Sequence, residues 1–210
     1  MLWLSGAVGY MALSHLLMVH AADRPWAVAA LFGPMLLAVA GAAAQRRHAP
    51  TLALVAAGGA LLLALVAAGG LGDVKRLYVA QHAGVHALLF AACAASLRPG
   101  RLSWIGQAAQ RVHGALSPSM AAYTRGLTCL WAAYFALMAL ASLAVYAACD
   151  WATWSLLANV ATPALIALFV AGEYVLRYRL HPEFARATFA DSVRAWSRPA
   201  RPVPPRRAAS

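Results

Sequence analysis

Charge is what this sequence has least of. Asp, Glu, Lys and Arg make up 11% of its 210 residues, and six residues are acidic. A water-facing domain carries roughly 25% charged residues, so there is too little charge here to cover an aqueous surface. Signatures of several chemistries are missing as well. Cys93, Cys129 and Cys149 are scattered singly, with no CxxC and no Cys/His cluster, and neither a disulfide framework nor a zinc or other metal site is expected. No glycine-rich phosphate loop, Ser/His/Asp arrangement or paired-carboxylate motif is present. No internal repeat is evident, which argues against a transporter built from two inverted halves. No cofactor is expected.

What fills the chain instead is apolar: 63% of residues are hydrophobic and the mean hydropathy is +0.67. Apolar runs occupy 2–19, 26–44, 51–70, 77–97, 127–149 and 154–176. Each approaches the ~20 residues that cross about 30 Å of hydrocarbon as a helix. Backbone groups in lipid must be satisfied within the segment, so such runs become helices. The expected fold is all-α, a polytopic transmembrane bundle of about six helices over 1–180. Gly58, Gly59, Gly69 and Gly70 in the third run suit close helix packing.

The formal charge of +11 sits in the connections and the tail, where orientation signals belong, so membrane topology rather than nucleic-acid binding accounts for it. One set of connections, with the tail, holds Arg46, Arg47, Arg98, Arg101, Arg111, Arg125 and the arginines from 177 to 207, 14 of the 17 basic residues. The other set holds Arg24, Lys75 and Arg76, close to Asp23 and Asp73. The first set is therefore expected on the cytoplasmic side, with both termini there. Trp26, Trp104, Trp151 and Trp154 fall near run ends, where an aromatic belt sits. Cleavage of residues 1–22 as a signal peptide is the competing reading of the first run. The positive leading region is missing, however, and Ser14 and His15 interrupt the apolar core.

Two segments suit helices lying on the cytoplasmic face. Within 102–116, Ile105, Ala108, Ala109, Val112 and Leu116 follow helical spacing opposite Gln107, Gln110 and Arg111. In the tail, 181–210, Phe189, Val193 and Trp196 recur at helical spacing before a Pro/Arg-rich end expected to be disordered.

Polar groups inside apolar runs are the natural candidates for function, because each costs several kcal/mol in lipid unless paired or neutral. Counting about 1.5 Å per residue places His15 roughly 8 Å and His82 roughly 9 Å from the outer ends of their runs. Asn159 falls at a similar depth and Thr162 somewhat deeper. His86 shares a helix face with His82 four residues earlier, beside Gln81. Pro34 and Pro163 fall mid-run, where each frees a carbonyl and can kink its helix. These residues permit a small polar cavity, and they equally suit hydrogen bonds that hold helices together. Glu173 is the one acid within the apolar runs and precedes Arg177 at the favourable i, i+4 spacing. An interfacial ion pair is the plain reading, and a binding or proton-relay role the sharper one.

Tyr123-Thr124-Arg125, then Leu127-Thr128, Trp131 and Tyr134-Phe135, resemble an uncharacterised bacterial inner-membrane family. Gln81-His82, Arg111-Val112-His113-Gly114 and the stretch Ala171-Gly172-Glu173-Tyr174-Val175-Leu176-Arg177 resemble it too, over about residues 75–180. Members are often encoded in aryl polyene and xanthomonadin-like pigment clusters, beside acyl carrier proteins, ketosynthases, acyltransferases and an exporter. The resemblance implies a part in making, anchoring or exporting a polyene lipid and names no catalytic residue. Three readings follow. The first is an accessory protein that binds a lipid intermediate or partner enzymes, with the 98–125 connection, Glu173–Arg177 and the basic tail as the docking side for acyl carrier or acyltransferase partners. The second is a small-molecule or lipid transporter with a His-lined path, and the third a membrane enzyme or haem protein.

Overall fold

The computed structural model describes residues 2–22, 24–45, 49–68 and 73–184. The amphipathic tail segment and the Gly69-Gly70 pair lie outside the described residues. Within them all regular structure is helical, with no strand. The helices are α1 (Leu2–Ala21), α2 (Pro25–Gln45), α3 (Ala49–Ala67), α4 (Val74–Ser96), α5 (Trp104–His113), α6 (Pro118–Ala148), α7 (Trp151–Leu156) and α8 (Thr162–Leu180). A π-helical turn, Leu157–Ala161, joins α7 to α8 without a break.

Three stretches are long and apolar enough to cross a membrane: Val74–Ser96, Pro118–Ala148 and Trp151–Leu180. Many of their large side chains point outward, with Leu88 72%, Leu140 66% and Leu168 69% exposed. Side chains of that size gain by leaving water, so these faces belong in lipid and the chain is a transmembrane helical protein.

Helix starts follow capping as well as hydropathy. Asp73 Oδ1 accepts from Lys75 N at 3.0 Å and starts α4 three residues before the apolar run at 77. Ser117 Oγ accepts from Met120 N at 3.2 Å, with Pro118 in the first helical position. Proline is preset for that position and has no N–H to leave unpaired. α6 therefore begins nine residues before the apolar run at 127, and its first turns carry Tyr123, Thr124 and Arg125. Asp150 Oδ1 caps α7 by accepting from Thr153 N at 2.7 Å.

The chain divides into two compact units, and each of α4, α6 and α8 contributes residues to both. The first comprises residues 1–86 and 138–169. In it α1 packs against α2, α7 and the π turn, and α2 against α3. A methyl group placed on Gly59 of α3 would meet Leu36 Cδ1 of α2 at 3.3 Å, so this glycine permits the close approach. Met18, Ala22, Val28, Val74, Tyr78, Val79 and Trp154 form the core. Trp154 is completely buried, and its indole N–H donates to Ser142 O at 3.0 Å and Ser142 Oγ at 3.2 Å. Trp151 stacks on it with centroids 4.8 Å apart and donates to Met18 O at 2.6 Å.

The second unit comprises 87–137 and 170–210, described as far as 184. Its centre is the seating of α5, whose first four N–H groups all find acceptors. Trp104 N donates to Ser96 Oγ (2.9 Å), Ile105 N to Thr128 Oγ1 (3.3 Å), Gly106 N to Ser103 Oγ (3.2 Å) and Gln107 N to Ser103 O (2.8 Å). A helix start leaves its first donors without intrahelical partners; here side chains from α4 and α6 supply two of the acceptors. The helix ends at Gly114, whose φ of +78° favours glycine. Trp104, Gln107, Gln110 and Arg111 are exposed, while Ile105, Ala108, Ala109 and Val112 are half-buried.

Candidate functional site

Polar side chains of the first unit assemble on α7, the π turn and the start of α8. A proline ring at position 163 removes one backbone donor and would strike the carbonyl four residues earlier in a regular helix. The chain widens just before it, and the Thr162 backbone N–H donates to Leu157 O, five residues back. Such turns are rare and often occur at functional sites. The kink expected at Pro163 thus takes the form of a π turn, whereas α2 runs without interruption through Pro34.

Two groups of contacts meet this wall. In the first, His15 Nδ1 and Ser155 Oγ are 2.8 Å apart, and Asn159 Nδ2 donates to Ser155 O (3.0 Å), Ser155 Oγ (3.2 Å) and Met18 Sδ (3.1 Å). In the second, His82 Nε2 lies 3.1 Å from Thr162 Oγ1, and Thr162 Oγ1 donates to Leu157 O at 2.8 Å. His86 Nδ1 donates to His82 O at 2.7 Å, and the two imidazoles are 4.4 Å apart, centre to centre. The Trp154 ring meets His82 edge-on at 5.9 Å. Gln81 is half-buried on the same helix.

These partners set the tautomers. The Thr162 hydroxyl has one proton, directed at a carbonyl, so toward His82 it is an acceptor and the neutral ring carries its proton on Nε2. His82 Nδ1 is then a bare lone pair. It is buried and has no hydrogen-bond partner, a state that calls for a reason in a folded protein. His86 points its Nδ1–H at a carbonyl, which places its own lone pair on Nε2. Among the described residues, no group of three or more His, Cys, Asp or Glu side chains could hold a metal ion.

The second unit carries a separate polar cluster. Arg177 Nε donates to Glu173 Oε1 at 2.6 Å, and Arg177 Nη2 donates to Glu173 Oε2. The Tyr123 hydroxyl donates to Glu173 Oε1 at 2.8 Å. Glu173 is thus an acceptor for a bidentate guanidinium and a phenol, its side chain 12% exposed. Tyr123 is packed edge-on by His181 (5.1 Å) and Phe184 (5.8 Å), and those two rings stack at 4.5 Å. Glu183 lies outside the spans. Its own backbone N–H, then the His181 ring 3.0 Å away, hold its carboxyl below the ordinary range. Nearby, the Arg125 guanidinium donates to Leu97 O, and Trp131, Tyr134 and Phe135 form an aromatic group with centroids 5.3 to 5.6 Å apart.

Of the residues singled out from the sequence, His15 and Asn159 converge on Ser155, His82 and His86 adjoin one another, and Glu173 pairs with Arg177. Sequence reasoning missed Ser155, Ser142 and the Tyr123 hydroxyl. Ser155 stands four residues before Asn159, a spacing that could have drawn attention to it; nothing local connects Tyr123 with Glu173. Compared with protein-family models, curated proteins and solved structures, the chain matches none.

Proposed function

We propose that this chain is an accessory protein of the bacterial inner membrane that holds the polar end of a lipid-like molecule. Its place is the biosynthesis or export of an aryl polyene-type lipid. The observation that carries the binding role is the enclosed, unpaired lone pair of His82 at the π turn, within helices whose outer faces are apolar. A molecule dissolved in the bilayer can reach such a site sideways, with its chain left in lipid. The pigment-lipid assignment rests on the resemblance of residues 75–180 alone.

In this reading α1, α2 and α3, at 20, 21 and 19 residues, add three spans to the three long stretches. The carboxyl end lies in the cytoplasm in this reading, which the arginine asymmetry supports. On that side would lie Arg98, Arg101, Arg111, Arg125, Arg177 and Arg179, against Glu173 and Glu183 among the described residues. That surplus suits acidic partners such as acyl carrier proteins, or an acyltransferase that delivers their cargo.

Deletion of the gene is expected to reduce the lipid-linked pigment or leave it out of the outer membrane; wild-type pigment there removes the reading. Reporters fused near residue 110 and at the carboxyl end should lie on the same side, and opposite sides would refute the topology. A transport role is the second reading, favoured by the contacts from His15 through Ser155 to Asn159. Under it, His82→Leu abolishes export with protein level and pigment synthesis unchanged, and unaltered export counts against it.

A further inference from the structure

We infer that His82 Nδ1 is the anchoring acceptor for a neutral hydroxyl group at the polar end of a membrane-borne amphiphile. This rests on the binding reading above and specifies its chemistry. The lone pair is assigned by the partners of the opposite ring nitrogen: Nε2–H donates to Thr162 Oγ1 at 3.1 Å, and that hydroxyl donates to Leu157 O. A ring fixed by a hydrogen bond on one nitrogen presents the other in a set direction, the arrangement used wherever a histidine receives a ligand. The ligand must therefore bring a proton donor.

An ammonium group is the wrong donor, because among the described residues the groups that meet His82 are Thr162, His86 and Trp154, none of them a carboxylate, and a cation buried without a counter-charge costs several kcal/mol. A hydroxyl is neutral and the smallest donor that can carry an apolar chain. His82 as a residue is only partly buried although Nδ1 is enclosed, so a hydroxyl reaches it when the side chains packed about the fixed ring give way.

The test uses the full chain, labelled with ¹⁵N-histidine and ¹⁵N-tryptophan, in nanodiscs of phosphatidylcholine, whose headgroup has no hydrogen-bond donor. The probes are 1-dodecanol and its methyl ether, which differ in the hydroxyl proton. Without probe, His82 Nδ1 should resonate as an unprotonated nitrogen; dodecanol should shift it saturably and the ether should not. In His82→Gln the amide nitrogen takes the place of Nε2 toward Thr162, so the protein should melt as wild type. Its affinity for dodecanol, read from the Trp154 indole resonance, should fall about tenfold, the worth of one hydrogen bond.

Equal shifts with alcohol and ether, no shift with either, a protonated Nδ1, or undiminished binding by His82→Gln each overturn the inference. Should His82→Gln fail to fold, the alcohol–ether contrast in the wild-type protein decides alone. Pigment loss on gene deletion tests the parent reading separately, so the two can fail independently.

Discussion

Replacing Gly106 by alanine sets two effects against each other at the seat of α5. Alanine in place of glycine favours a helix by about 1 kcal/mol. The added methyl, however, would lie 2.9 Å from Ser103 Oγ, 3.1 Å from Leu102 Cγ and 3.2 Å from Thr124 Oγ1. Ser103 is the N-cap that accepts from residue 106, and turning its hydroxyl aside forfeits about 1 kcal/mol, which cancels the propensity gain. Thr124 is 5% exposed and held by its bond to Ala121 O, so it cannot yield freely. Overpacking of this kind costs about 1–3 kcal/mol. The steric effect wins, and α5 should loosen from α6 by about 2 kcal/mol, roughly 30-fold in its opening equilibrium. Hydrogen–deuterium exchange of the peptide spanning 102–113, in nanodiscs, should show that acceleration while peptides from the first unit keep wild-type rates. Slower exchange of α5 in the variant would mean that propensity dominates and that Gly106 does not touch α6.

Other consequences follow from the same physics. Glu173→Ala leaves Arg177 half-buried without its carboxylate and should cost about 2 kcal/mol, against about 1 kcal/mol for Tyr123→Phe, which removes one hydrogen bond. Thermal unfolding in detergent ranks the two, and equal losses would refute the assignment of Glu173 as the centre of the cluster. Trp154→Phe shrinks the fully buried ring and removes the indole N–H bonds to Ser142, and should lower stability by about 1–3 kcal/mol in the same assay; an unchanged melting temperature contradicts the burial described. The Thr153 backbone N–H holds the Asp150 carboxyl below its ordinary 3.8. Because the folded value is the lower one, the cap is fully formed above 3.8 and is lost as pH falls through the folded value. The Thr153 amide resonance should titrate with a midpoint below 3.8, and a midpoint at or above it would discard the cap.

Much of the helical layout is legible because hydropathy and periodicity are local. The i, i+4 relation of Glu173 and Arg177 is local too, and so is the apolar stripe of α5. The start of α6 was not read from hydropathy because Ser117 and Pro118 act through capping, and the turns that follow carry polar residues used to seat α5. The histidines stand out by their rarity in apolar runs. What each one meets does not: Ser155 lies 140 residues from His15, and Thr162 lies 80 from His82. Pro163 announces a disturbance in its helix, but whether the chain bends or takes up an extra residue depends on packing around Leu157 and Thr162. The Tyr123 hydroxyl is likewise assigned by tertiary packing across 50 residues.

The complete pairing at the head of α5 bears on how this protein can meet phosphate. An open helix start is a common cradle for anions, its free amides aimed outward. Here Ser96, Ser103 and Thr128 have already filled that cradle from within the fold. A phosphate group approaching this helix start finds no backbone amide of the first turn left to bind it.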